Sequence, residues 1–125
     1  MRSIAIMNQK GGVGKTTTAV NVSAALADAG QRVCLIDLDP QAHASLHYGI
    51  EPGAGVSTIY DVLVGDARLV DVHRQVAENL HVVPSHLDLA AAEVELAGTV
   101  GREVLLRDKL LQYQQPLDYV FIDCP

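Results

Sequence analysis

Apolar residues fall along this chain in short unbroken runs and in helically spaced sets, and the two kinds alternate. Ser3 to Met7 is an apolar run that stops at a glycine-rich stretch, the pattern of a buried strand feeding a turn. From Thr16 to Ala29 the chain is alanine-rich, with Ala19, Val22 and Leu26 on one helical face and Gly30 where a helix would stop, so a helix is predicted there. Val33, Cys34, Leu35 and Ile36 predict a second buried strand, closed by Asp37-Leu38-Asp39-Pro40 because proline cannot donate to a ladder. Strand, loop, helix and strand in that order make a βαβ unit. Residues 40–55 are punctuated by proline and glycine and read as loop, and Val56 to Val64 is compatible with a short helix. Leu80 to Val83, stopped by Pro84, predicts a third strand; Leu87 to Ala97 and Glu103 to Tyr113 predict helices; Tyr119 to Asp123 predicts a fourth strand. The expected class is α/β with a mainly parallel sheet, and no repeat, low-complexity tract or linker interrupts it.

Composition narrows the picture. With 125 residues there is room for one domain, and 49% hydrophobic content suffices for a packed core, so disorder is not the default. The net charge of −6 and the absence of any block of consecutive Lys or Arg mean that the sequence carries no nucleic-acid footprint of its own. Cys34 and Cys124 lie in apolar runs without metal-ligand spacing, so buried free thiols in a reducing compartment are expected rather than a disulfide, which points to the cytoplasm. The apolar runs are too short to span a bilayer and the start lacks a signal sequence's apolar length, so neither secretion nor membrane insertion is expected. His43, His47, His73, His81 and His86 share no spacing that would hold a metal and read as surface or loop residues. Glu93 and Glu95 would point to different sides of a helix and make no acid–base pair.

The chemistry concentrates in Lys10-Gly11-Gly12-Val13-Gly14-Lys15-Thr16. A phosphate chain needs backbone N–H groups converging on its oxygens, a helix N-terminus offering its positive end, and a cation with reach. Gly11, Gly12 and Gly14 permit the tight loop, Lys15 supplies charge to the β- and γ-phosphates, the Thr16 hydroxyl can ligate Mg²⁺, and Thr17 adds a contact to the α-phosphate. Gln9 stands where the general P-loop pattern has its first glycine, and the extra lysine, Lys10, marks a deviant form of the loop. A dinucleotide fingerprint is disfavoured because Thr17 occupies its third glycine position. The second strand would deliver Asp37 and Asp39 to the same edge of the sheet as the loop, where two carboxylates suit the water shell of Mg²⁺ and a polarised attacking water; a plain strand-end cap is the competing reading for Asp37. Asp123 closes an apolar strand in the manner of a Walker B carboxylate, against the alternative of a solvated strand end. The fold expected on this ground is a P-loop NTPase of three α/β/α layers, ending after the fourth strand.

Read together, Asn8 to Thr18, Asp37-Leu38-Asp39-Pro40-Gln41, Ile59 to Leu63, Leu87 to Ala90, Glu95 to Gly98 and Asp118 to Pro125 resemble the ParA/Soj family of chromosome- and plasmid-partitioning ATPases, a branch of the deviant-Walker-A ATPases. The resemblance implies ATP and Mg²⁺ as cofactors, an ATP-bound sandwich dimer in which Lys10 reaches the partner's nucleotide, and Asp39 positioning the attacking water. It further implies that Asp37 supports the magnesium shell and that the loop after Asp39 is a switch sensing the γ-phosphate. Catalytic roles thus fall to Lys10, Lys15 and Asp39, ATP binding to Lys10 through Thr17, and metal contacts to Thr16, Asp37, Asp39 and Asp123. A ParB-type partner would stimulate slow hydrolysis, and the ATP-bound dimer would coat DNA without sequence preference, giving a cytoplasmic, nucleoid-associated protein with no membrane role.

Family members run to roughly twice this length, so residues 1–125 correspond to the amino-terminal portion of one ParA-type ATPase domain. The DNA-holding and adenine-contacting residues of relatives lie further on and are not carried over. The family's sheet would order the four strands 3-2-4-1 with the loop-bearing first strand at an open edge, so this portion alone is expected to be unstable or self-associating and weak or inactive as an ATPase. Alternatives on the same scaffold are a MinD-like membrane-positioning ATPase, an iron–sulfur carrier ATPase, whose ligand cysteines Cys34 and Cys124 do not match in spacing, and an inactive fragment.

Overall fold

Residues 2–6, 13–39, 41–50, 57–86, 89, 102–113 and 116–123 are described by the computed structural model. Arg2–Ile6 forms β1, Val13–Asp28 α1, Val33–Asp37 β2, His43–His47 α2, Ile59–Leu63 α3, Leu69–Val72 α4, Arg74–Ala77 β3, Leu80–Val83 β4, Arg102–Leu111 α5 and Tyr119–Asp123 β5. The sheet runs β1-β5-β2-β4-β3. β5 pairs in parallel with β1 and β2, β2 pairs in parallel with β4, and only β3 is antiparallel, to β4. The four strands expected from the sequence are present, and their order β4-β2-β5-β1 is the 3-2-4-1 order implied by the resemblance.

Helices cover both faces of the sheet, which is why its central strands read as unbroken apolar runs. Alternate residues divide between the layers. Val33, Leu35, Leu80, Val82 and Phe121 pack beneath Ala19, Val20 and Ala27 of α1 and Ala44 of α2. Cys34, Ile36, Val83 and Val120 face the other way, onto α3, α4 and α5 through Ile59, Val62, Leu69, Val72, Leu106 and Leu110. The buried stripe of α1 differs from the expected one. Val22 is 39% exposed, and Ser23 and Ala27 lie inside with Ala19 and Val20. In an alanine-rich helix small residues occur all round, so the apolar period does not single out one face.

Local signals set several boundaries. Gly30, at φ 88°, ends α1 in the left-handed conformation that glycine adopts without a Cβ penalty. Thr58 caps α3 by accepting from the Tyr60 amide at 3.2 Å, while its own N–H donates to Asp61 Oδ2 at 2.8 Å, a reciprocal capping box. At the amino edge of the sheet, Arg32 donates from Nε and Nη2 to the Asp118 carboxylate, both at 3.0 Å, tying the starts of β2 and β5 together. The predicted helix over Leu87–Ala97 lies outside the described residues except for Leu89, which is buried. Met7 and Cys124 also lie outside them.

Three elements were not foreseen: α2, α4 and β3. Each is too short for a periodic signal, and β3 is an edge strand whose residues are mostly exposed, so it has no apolar run to betray it. Asn79, at φ 64°, supplies the left-handed turn that joins β3 to β4, a conformation asparagine tolerates.

The histidines divide. His43 and His47 are exposed on α2, as expected, whereas His73 and His81 are half-buried, with ring centroids 4.6 Å apart in a stack. His73 Nδ1 is 2.5 Å from the Tyr113 hydroxyl. Burial lowers the pKa of both rings, and the charge of His81 lowers that of His73 further. A histidine whose folded pKa is depressed binds fewer protons when native, so its contribution to stability is present above the unfolded value of about 6.5 and is lost as pH falls through the folded pKa. His81→Phe, which keeps a ring for the stack and removes the charge, is therefore expected to gain stability relative to the wild type between pH 7.5 and 5.5. Parallel urea melts at the two pH values measure that difference; a pH-independent difference would contradict it.

Candidate functional site

Parallel strands send their carboxyl ends to one edge, and three of the predicted site residues meet there. Asp37 ends β2 and Asp123 ends β5, and the two are cross-strand partners in register, with Ile6 of β1 beside Asp123 on the other side. Both aspartates are buried, at 0% and 1% exposure, and Asp39 is 6% exposed. Two carboxylates on adjacent strands at one register position face each other across a single strand spacing. Burial is the largest cause raising the Asp37 pKa, to about 6; hydrogen bonds from Ser45 and Asp39 pull it back, and the charge of Asp123 raises it again.

Two backbone amides and one hydroxyl hold the Asp37 carboxylate. Its Oδ1 accepts from the Asp39 amide at 3.1 Å, and its Oδ2 accepts from the Ser45 amide at 3.0 Å and the Ser45 hydroxyl at 2.7 Å. Asp39 Oδ1 accepts from the Gln41 amide at 3.0 Å, the self-turn that aspartate forms readily in loops. Ala42 follows at φ 57°, a conformation uncommon for alanine, and opens α2 without a side-chain cap. His43 Nδ1 lies 3.7 Å from Asp39 Oδ2, beyond hydrogen-bond length. From β4, the Ser85 hydroxyl donates to the Asp39 carbonyl at 2.6 Å and the Ser85 amide donates to Ser45 Oγ at 3.0 Å.

The phosphate-loop residues divide at the start of α1. Lys10, Gly11 and Gly12 lie outside the described residues, whereas Val13, Gly14, Lys15, Thr16 and Thr17 form the opening of the helix. The first amides of a helix have no partner within it and carry the positive end of its dipole. α1 begins in the connection that follows β1, and it packs over β2 and β5, the strands that carry Asp37 and Asp123. Sequence reasoning missed Ser45 and Ser85, both fully buried in this site. The available signal was a hydroxyl directly after the strand-ending Pro84, at the same sheet edge as Asp37.

Among the described residues no group of three or more His, Cys, Asp or Glu side chains is arranged to hold a metal unaided. Paired buried carboxylates fit a cation that keeps water and takes further oxygens from a bound phosphate, which is how Mg²⁺ prefers to bind. A cavity of about 190 Å³ lies at the opposite, amino edge, bordered by Arg32, Asn79, His81 and Leu117. It holds none of the predicted site residues, and its one guanidinium is already paired with Asp118.

A family model described as an AAA domain matches residues 1–125. The chain belongs to this family. This AAA-domain chain is 50% identical over 123 residues to the sporulation initiation inhibitor protein Soj of Bacillus subtilis (strain 168), covering 98% of the chain and 49% of that protein. It is 48% identical over 128 residues to the chromosome partitioning protein ParA of Caulobacter vibrioides (strain NA1000 / CB15N), covering all of the chain and 48% of that protein. Among solved structures, cobyrinic acid a,c-diamide synthase from Mycobacterium smegmatis, with bound ATP analog and magnesium, matches at a TM-score of 0.90 and 39% identity, over 100% of this chain and 51% of that one. The ParA/Soj resemblance and the P-loop NTPase fold class are thereby borne out. The chain spans about half the length of the curated relatives it matches.

Proposed function

We propose that this chain is the nucleotide-binding portion of an ATP-hydrolysing switch that acts in chromosome or plasmid partitioning. The observation that carries the reading is the meeting of Asp37, Asp39 and Asp123 at the carboxyl edge of the sheet, the edge at which β1 also ends, with Ile6 in register with Asp123. Glycine-rich amides from Gly11 to Gly14 and the opening amides of α1 receive the triphosphate, with Lys15 between the β- and γ-phosphates. Thr16, Asp37 and Asp123 would hold Mg²⁺, which when bound supplies neutralisation of phosphate charge. Asp39 orients the attacking water, and its loop, running on to α2, senses whether the γ-phosphate is present. Lys10 reaches the nucleotide of a second copy, so that ATP closes a dimer. That dimer holds DNA without sequence preference, and a ParB-type partner stimulates its hydrolysis and release on the nucleoid.

The test is the mass and DNA retention of the intact natural protein in ATP and in ADP. Dimer mass and retention in ATP alone are expected, both lost in Lys10→Ala; equal retention in the two nucleotides would contradict the reading. Similarity to a diamide synthase favours one alternative, a nucleotide site coupled to synthesis, and the same measurement separates it, since synthesis requires no nucleotide-dependent grip on DNA.

Metal and nucleotide should also change how stability responds to pH. A carboxyl group raised to about 6 contributes stability that is present below its unfolded value and lost as pH rises through about 6. A bound cation favours the charged form and reverses that loss. The rise in unfolding temperature given by Mg·ATP is therefore expected to be larger at pH 7.5 than at pH 5.5, measured by differential scanning fluorimetry, and Asp37→Ala should flatten the dependence.

A further inference from the structure

Two serine hydroxyls lie in the interior of the site, and neither is explained by holding phosphate or metal. Ser45 and Ser85 are both 0% exposed. A buried hydroxyl costs stability unless it is hydrogen-bonded, so the partners of each decide what it does. Ser45 Oγ donates to Asp37 Oδ2 and accepts from the Ser85 amide, while Ser85 Oγ donates to the Asp39 carbonyl. The two serines thus join the end of β2 to the segment after β4 by bonds that converge on Asp37 and Asp39. Behind that segment, the Pro84 carbonyl accepts from the Ile59 amide at 2.8 Å, so its position is set by α3 as well.

We infer that Ser85, with Ser45 behind it, is a positioning residue that fixes the Asp39 backbone and thereby aims its carboxylate. Asp39 lies beyond the end of β2, so no strand pairing holds it. Its amide is tied to Asp37 and its carboxylate to the Gln41 amide, both bonds inside the same turn. The Ser85 bond is the tie from Asp39's backbone to a different strand's end. Without it the turn keeps its Ala42-to-Asp39 bond at 2.8 Å and the anchor one residue earlier, where the Leu38 N–H donates to the Asp123 carbonyl at 2.9 Å, so the freedom gained is that of the Asp39 carbonyl and carboxylate beyond that anchor. A displacement of about 1 Å at a catalytic group is enough to cost a large part of the rate.

The inference rests on the proposed role of Asp39, and the experiment separates the two. Ser85→Ala, Asp39→Asn and the double variant are made in the intact natural protein, and kcat for ATP hydrolysis is measured beside the Kd for a fluorescent ATP analogue. Ser85→Ala is expected to lower kcat about tenfold with Kd within about twofold, and the double variant to be no slower than Asp39→Asn, because the serine acts only through the aspartate. A Ser85→Ala protein with kcat near the wild-type value, beside an Asp39→Asn protein that has lost turnover, overturns the positioning role and leaves the proposed function standing. Full turnover in Asp39→Asn overturns both. Should Ser85→Ala fail to fold, Ser85→Cys, a weaker donor of similar shape, is scored by the same kcat criterion.

Discussion

Lys15→Ala is expected to weaken Mg·ATP binding by roughly a hundredfold, about 3 kcal/mol, since charge-assisted hydrogen bonds are worth roughly 1.5–3 kcal/mol each and removing one leaves phosphate charge unpaired. The opening of α1 supplies amides and a dipole, but partial charges at a helix end are worth only about 0.3–1 kcal/mol for one anionic group in exposed settings. A triphosphate therefore needs a full positive charge within reach, and the chain offers few near this loop: Lys10 and Lys15 are the only lysines before residue 100. In the proposed dimer Lys10 serves the partner's nucleotide, so an isolated subunit would rely on Lys15. Isothermal titration of the variant, at a protein concentration too low for dimer formation, measures the loss. Because Lys15 stands in the first turn of α1, and lysine and alanine are both good helix formers, the fold should persist. Unchanged affinity would remove the loop from the site.

Asp39→Asn should separate binding from chemistry. Asparagine keeps the size and an oxygen for the Gln41 amide, but it lacks the negative charge that polarises a water molecule. A positioned acid–base group is worth about a hundredfold or more in rate, so kcat is expected to fall by roughly that factor while nucleotide affinity stays within about threefold. Asp37 is a different case. Both of its oxygens accept from N–H groups, so an asparagine there would turn an NH₂ group toward a donor and disturb the fold as well as the site. The contrast is testable in one melt series: Asp39→Asn near the wild-type unfolding temperature, Asp37→Asn below it.

Which parts could be read in advance follows from what each residue packs against. β2, β4 and β5 were legible because their inner residues are covered on both faces, which demands unbroken apolar runs. β4 and β5 begin and end at the predicted residues, and β2 extends one residue further, to Asp37. β3 was not legible, because an exposed edge strand is under no such demand. α2 was missed for a related reason: its place comes from Ala44 packing on the sheet and from Ser45 bonding to Asp37, tertiary facts with no periodic trace in five residues. At the site, Asp37, Asp39 and Asp123 were readable from their places at strand ends, since a parallel sheet sends such ends to one edge. Ser45 and Ser85 were not, because a serine that is buried and doubly bonded looks the same in sequence as one in a solvated loop. His73 does lie in a loop, between α4 and β3, but His81 belongs to β4, and the stack of the two rings was not legible for want of any signal that β3 would fold back beside β4 and that Tyr113, just after α5, would meet His73.

The most direct test is a crystal structure of the intact protein grown with a non-hydrolysable ATP analogue and Mg²⁺. The triphosphate should lie along the amides of Gly11 to Thr16, with the metal's waters on Asp37 and Asp123 and the Asp39 carboxylate facing the γ-phosphate. A nucleotide seated elsewhere, for instance in the cavity beside Arg32 at the amino edge, with the carboxyl edge of β2 and β5 left to solvent, would contradict it.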